Sequence, residues 1–289
     1  MDAIPYFTQL TIQMTKRLPI NLIVNADDYA YFPAVSRGIL DAAKAGKLSA
    51  TGIIANKPNL TTQLEQLDTL QNIDLGVHLN LTSGEPCTEQ MRMLLDKNQG
   101  LFPSAYRMSL MILNQKISIQ HIRQEWHAQI EACGGRRLVF LNSHEHIHML
   151  PILFPLILQL ANDFNIPFVR LTKADWLLPM SGTALVRNIL MQGMASINQW
   201  HITRPMPIFL GLGSSGKLTI QYLDKLFATL KPGQTYELMC HPGYFAADEI
   251  IHPQLIAYHH WEQELALLQS AELQNLYDKF GIFLGRYHH

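Results

Sequence analysis

NLIVNADDYAYFPAVSRGILDAAKAG, residues 21–46, decides how the rest of the chain is read. Asn21–Asn25 is a short apolar run bounded by polar residues, the pattern of a strand buried on both faces. Pro33 pre-sets φ for a first helical turn, and Gly46 supplies the stop of a helix written PAVSRGILDAAKAG. Between strand and helix stand Asp27 and Asp28. This is one βα unit, and the same order recurs downstream.

SATGII is the next strand, followed by a helix whose Leu60, Leu64, Leu67 and Leu70 share a face. DLGVHL, LVFL, PFVRL, PIFL and TYELM read as further strands. Helices are expected from Ser118 as N-cap to Gly134, over PILFPLILQLANDF and around TIQYLDKLFATL. WEQELALLQSAELQNLY is helical, and GIFL is a last short apolar run. Asn80–Ile117 scatters Gly, Pro and Met without period and reads as a long loop excursion. No repeat, low-complexity tract or linker interrupts the alternation. It implies an α/β fold with a mostly parallel sheet, open or closed into a barrel. Residues 19–289 are expected to form one domain, with residues 1–18 an extension of unassigned role.

The 289 residues are 48% hydrophobic, enough for a large core, and carry a net charge of −1. That balance, without a basic cluster, argues against nucleic acid or an anionic membrane as the main partner. Cys87, Cys133 and Cys240 are far apart with no CxxC, the usage of reduced intracellular thiols. The N-terminal residues lack the compact apolar run of a secretory signal. MLPILFPLILQLA is broken by Pro151 and Pro155 and is too short to span a bilayer. A cytoplasmic protein without integral membrane association is expected.

Position makes the polar residues informative. Asp27 and Asp28 follow NLIVN, His78 ends DLGVH, Asn142 and His144 follow LVFL, Arg170 ends PFV, and His241 follows TYELMC. Five strands thus deliver polar groups at their C-terminal ends, where parallel α/β folds build active sites. Neutral imidazoles and a carboxylate form a common divalent-metal set with room for water. Adjacent carboxylates on a strand point to opposite sides, so one suits a metal ligand and the other a general base.

Structural readings compete with each piece. Asp-Asp after a strand also makes turns and helix caps; His78 also fits a core; Pro242 and Gly243 make a turn of HPGYF. In HEHIH, an i, i+4 spacing selects His144 and His148 for one helical face, leaving His146 elsewhere, and a solvated turn is the alternative. GLGSSGK, Gly211–Lys217, fits GxGxxG after a strand, with Glu237 about 20 residues on. Yet only some fifty residues follow Glu237, and such a fingerprint belongs to the first βα turn of its fold. A loop at the barrel rim is the better reading.

NADDYAYFPAVSRGILDAAKAGKLSATGIIAN, GVHLNLTSGEP, LNSHEHIHMLPILFPLILQLA, PFVRL and ELMCHPGY together resemble the YdjC-like carbohydrate deacetylases, the family that contains chitooligosaccharide deacetylase. The resemblance runs in family order from Asn21 to Tyr244. It implies a distorted (β/α) TIM-like barrel, related to the NodB-type polysaccharide deacetylases, and one divalent metal ion, magnesium or zinc. It implies Asp28, His78 and His144 as ligands, against the spacing argument for His148. It further implies hydrolysis of an N-acetyl group on an amino sugar, with Asp27 as general base and His241 assisting. Arg170, Asn142, His146 and His148 are then expected around the substrate, and the resemblance also implies a homodimer. Three positions depart from the family: Ala30 where it has Gly, Asn142 where it has Asp, and Trp261 where it has Arg. They leave open a glycolipid or other amide as substrate, or a non-catalytic sugar- or metal-binding relative.

Overall fold

A computed structural model describes residues 18–177 and 182–287; the expected extension, apart from Leu18, lies outside them. The elements are β1 (Ile20–Tyr29), α1 (Pro33–Lys44), β2 (Ala50–Ile53), α2 (Leu60–Leu67), β3 (Asp74–Leu79), α3 (Glu89–Leu94) and α4 (Ala105–Leu113). Then come α5 (Ile119–Ala132), β4 (Leu138–Ser143), α6 (Phe154–Asp163), β5 (Phe168–Val169), α7 (Gly182–Asn198), β6 (Ile208–Leu210) and α8 (Ile220–Phe227). β7 (Thr235–Cys240), α9 (Pro253–Tyr258), α10 (Trp261–Gln269), α11 (Ala271–Phe280) and β8 (Ile282–Leu284) complete them.

The strands run parallel in the order β5-β4-β3-β2-β1-β7-β6, with β8 beside the start of β1. Among the described residues no pairing joins β5 to β6. The sheet therefore curls into a partial barrel with a seam, the distorted barrel expected from the sequence. Each strand sorts its side chains by the period of two. On β1, Leu22, Val24 and Ala26 face the helical layer, while Ile23, Asn25 and Asp27 face inward.

The interior is stratified. Ile23, Ala50, Val139, Phe140 and Tyr287 fill the base as a small apolar cluster. Gly76 makes room for it: a Cβ there would lie 2.5 Å from the Phe140 ring. Above sit Asn25, Asp27, His78, Asn142, Arg170 and Glu237, all at most 3% exposed. Register sets their height, since His78 pairs with Asn142, Leu141 with Val169, and Ala26 with Cys240.

The excursion after β3 is not a loop: α3 and α4 lie within it. α4 carries apolar residues on both faces, Met108 and Ile112 buried, Tyr106, Leu110 and Leu113 exposed. An apolar stripe on each side erases the period that marks a helix. No helix among the described residues is long and apolar enough to cross a membrane.

Candidate metal and hydrolase site

β1 delivers both carboxylates to one place, not to opposite faces. Its pairing with β2 shifts between Ala26 and Tyr29, and Asp28 adopts φ 71°. This bulge turns Asp28 over the barrel mouth, as bulges beside functional sites do. Both carboxylates then meet His78: Asp28 Oδ1 lies 3.3 Å from Nε2, and Asp27 Oδ1 3.9 Å from Nδ1. Ala30 also sits in the left-handed region, at φ 68°, a conformation that glycine adopts without strain.

Asp28, His78 and His144 each offer a ligand atom, and these atoms lie within 4.8 Å of one another. His144 Nδ1 is 3.0 Å from Asp28 Oδ1. Attraction between them and His78 outweighs burial, which alone would raise the Asp28 carboxyl; it is held well below the carboxylate range.

The hydrogen bonds of Asn142 fit this set to a cation. Its Nδ2 donates to Asp27 Oδ1 at 3.0 Å, so its Oδ1 must be the atom 2.7 Å from His78 Nδ1. An amide oxygen only accepts, so His78 Nδ1 carries the proton, and in the neutral ring Nε2 presents a lone pair. That lone pair faces Asp28 Oδ1, an arrangement of two donors that suits a metal ion.

The HEHIH segment is not one continuous helical turn. Glu145 and His146 take left-handed φ of 51° and 55°, so His148 leaves the face of His144. Its Nδ1 meets Ser143 Oγ at 2.6 Å and its Nε2 the Arg170 carbonyl at 2.9 Å. The carbonyl requires Nε2–H, so the Ser143 hydroxyl donates to Nδ1. Burial holds His148 neutral, its pKa drawn down to about 3. His146 touches Thr172 Oγ1 at 3.3 Å and packs edge-on to Phe209; burial likewise draws it well below the histidine range.

Arg170, expected near substrate, is committed elsewhere. Its terminal nitrogens grip Asp27 at 2.6 and 2.9 Å, and its Nε donates to Glu237 Oε1 at 2.7 Å. Burial pushes the Asp27 carboxyl up, but Arg170, then His78, outweigh it and hold it far below the usual range.

His241 follows β7, and its backbone N–H donates to Glu264 Oε2 at 2.6 Å. Its Nδ1 makes no hydrogen bond and lies 4.0 Å from Glu264 Oε2. The ring lies 4.9 Å from that of His259, which stacks on Trp261 at 4.9 Å and 18°. Trp261 is thus part of a buried ring stack. Beneath, Gly38 meets Gly243, where a Cβ would approach a backbone carbon to 2.5 Å, so α1 packs directly on the His241 turn.

Several site residues escaped sequence reading. Lys57, just past β2, lies with its Nζ 4.4 Å from the Tyr31 ring centroid and 3.4 Å from Ser83 Oγ; Tyr31 in turn lies 5.1 Å from the His144 ring. Burial lowers the Lys57 pKa to about 8. The strand-end rule that selected His78 applies equally to Lys57. Glu264 comes from α10 and His259 from the connection between α9 and α10, where that rule is silent.

GLGSSGK is no phosphate cradle. Asp175 Oδ2 accepts the Gly211 and Gly213 amides at 2.8 and 3.1 Å and the Tyr222 hydroxyl at 2.7 Å. A carboxylate already fills the place a phosphate would take. At the seam, a cavity of about 420 Å³ has Lys173, Gln199 and Arg204 among its walls and Phe209 at its edge.

The family model of YdjC-like proteins matches residues 21–279. A carbohydrate deacetylase of Halalkalibacterium halodurans is 29% identical over 80% of this chain and 88% of its own. One from Enterococcus faecalis is 26% identical over 92% and 96%. A crystal structure from Enterococcus faecalis, of a proposed cellobiose-phosphate cleavage protein, superposes with a TM-score of 0.69 at 24% identity, covering 93% of this chain and 98% of that one. Its likeness shows the shared fold. With most of its length matched, the chain belongs to the YdjC-like protein family.

Proposed function

We propose that the chain is a metal-dependent hydrolase that removes N-acetyl groups from an amino-sugar-containing carbohydrate. The observation that carries this reading is the convergence of Asp28, His78 and His144 beside the buried carboxylate of Asp27, in a family whose matched relatives are carbohydrate deacetylases. Three free thiols suit a cytoplasmic setting.

Asp28, His78 and His144 would hold one divalent ion, magnesium or zinc. Such an ion polarises an amide carbonyl and makes a water acidic enough to lose its proton near neutral pH. Asp27 takes that proton at its carboxylate. Arg170 and Asn142 keep this carboxylate ionised and aimed, so both act through Asp27 and not on substrate. The water oxygen bonds to the acyl carbon, the C–N bond breaks, and acetate and a free amine result. His241, beside the Glu264 carboxylate, supplies the proton that the departing amine needs. His146, at the edge of the mouth, faces the sugar, while His148 braces β4 against β5.

Calorimetric titration with zinc and magnesium tests the ligand set. One equivalent should bind to the wild type and to Asp27→Asn, and none to His78→Ala or Asp28→Ala. Free amine should appear from N-acetylated oligosaccharides only with ion-binding forms that retain Asp27. A wild type that binds no divalent ion would sink the reading.

A further inference from the structure

Two helices, α4 and α7, present runs of exposed apolar side chains. α4 presents Tyr106, Leu110 and Leu113 to solvent at i, i+4, i+7 spacing. α7 presents Leu185, Ile189, Leu190 and Ile197, and Trp200 follows at 89% exposure. Both helices pack against the His144–Met149 segment that carries the His144 ligand. The two helices therefore flank the segment beside the mouth of the site.

Charge is segregated along the same stretches. Residues 97–124 and 176–223 contain seven Lys and Arg and no Asp or Glu, in a chain with 23 acidic residues. Arg107, Lys116, Arg204 and Lys217 among them are exposed. The near-neutral total conceals this basic rim, because the remainder of the chain is acidic.

Two apolar stretches that carry bases and no acids narrow the partner. A two-fold contact with a second copy would set base against base. Nucleic acid would use the bases and leave the aliphatic side chains in water. An anionic bilayer takes both: Leu and Ile enter the acyl boundary, Lys and Arg meet the headgroups, and Trp favours the interface between them. We propose that the α4–α7 rim docks on an anionic lipid bilayer, so that the amino sugar reaching the mouth is the headgroup of a membrane-anchored lipid. The substrate clause rests on the deacetylase reading; the docking does not.

The test is co-sedimentation of the full chain with vesicles of phosphatidylcholine, alone and mixed with phosphatidylglycerol. Binding should be about tenfold or more tighter to the mixed vesicles, and weakened by salt. Ile189→Glu/Leu190→Glu and Arg107→Gln/Lys116→Gln should each lower it about tenfold, with unchanged unfolding midpoints and unchanged acetate release from soluble oligosaccharides. Absence of binding to either vesicle, or binding that both variants leave intact, overturns the docking. So does a dimer that Ile189→Glu/Leu190→Glu converts to monomer, which would put a second copy on the face. A loss of stability of that variant in solution would put a segment of the chain there, and it overturns the docking as well. Asp27→Asn should still bind vesicles but release no acetate from a lipid bearing an N-acetylglucosamine headgroup. Wild-type docking with acetate released only from soluble sugars removes the lipid substrate; docking with no acetate from any source removes the deacetylase reading instead.

Discussion

Arg170 grips both oxygens of Asp27, at 2.6 and 2.9 Å, while its third nitrogen binds Glu237. One buried guanidinium thus pairs with two buried carboxylates, each at most 2% exposed. Removing one partner of such a group strands the others without solvation. Arg170→Met should cost about 3–5 kcal/mol of unfolding free energy, read from denaturant midpoints, and abolish turnover. Arg170→Lys keeps the charge but loses the fork, and should recover part of the stability only.

Asn142 joins Asp27 to His78, donating to one and accepting from the other. Asn142→Leu removes both bonds and should lower metal affinity and acetate release by about 10–100-fold. Asn142→Asp sets a carboxylate beside Asp27, and like charges at that distance share a proton. The acid limb of kcat/KM should then move to higher pH, which a pH-rate profile reads directly.

His148 and His259 are both held neutral by burial, with pKa values drawn down to about 3. The unfolded chain protonates these rings below about pH 6.5, and the native state does not. Between that pH and 3, the unfolded state binds more protons, so stability falls as pH falls through this window. Each ring adds a slope of about 1.4 kcal/mol per pH unit. His148→Gln should remove one such slope between pH 6 and 4 in denaturant titrations, leaving the pH 8 slope unchanged.

Ala30 occupies φ 68°, where its Cβ is strained and glycine is not. Ala30→Gly should stabilise the chain by about 1 kcal/mol. A melting temperature that stays level or falls would show that the surroundings favour the methyl group.

The strands of the sheet were legible because each is a short apolar run, and strand ends pointed to Asp27, Asp28, His78, Asn142, His144, Arg170 and His241. What stayed hidden has physical causes. α4 lacks a period because apolar residues cover both its faces. The bulge at Asp28 depends on pairing with β2, which no local pattern records. His148 could not be separated from His144 by spacing, because two left-handed residues lie between them. The commitment of Arg170 to Asp27 and Glu237 spans 143 and 67 residues, beyond any window of sequence.

The most direct test is acetate release from N-acetylated chito-oligosaccharides by metal-stripped protein, with single divalent ions restored and Asp27→Asn alongside. Release that requires the ion, and that Asp27→Asn lacks while still binding it, is the expected result. Release of equal rate without the ion, or from Asp27→Asn, would contradict the roles assigned to Asp28, His78, His144 and Asp27.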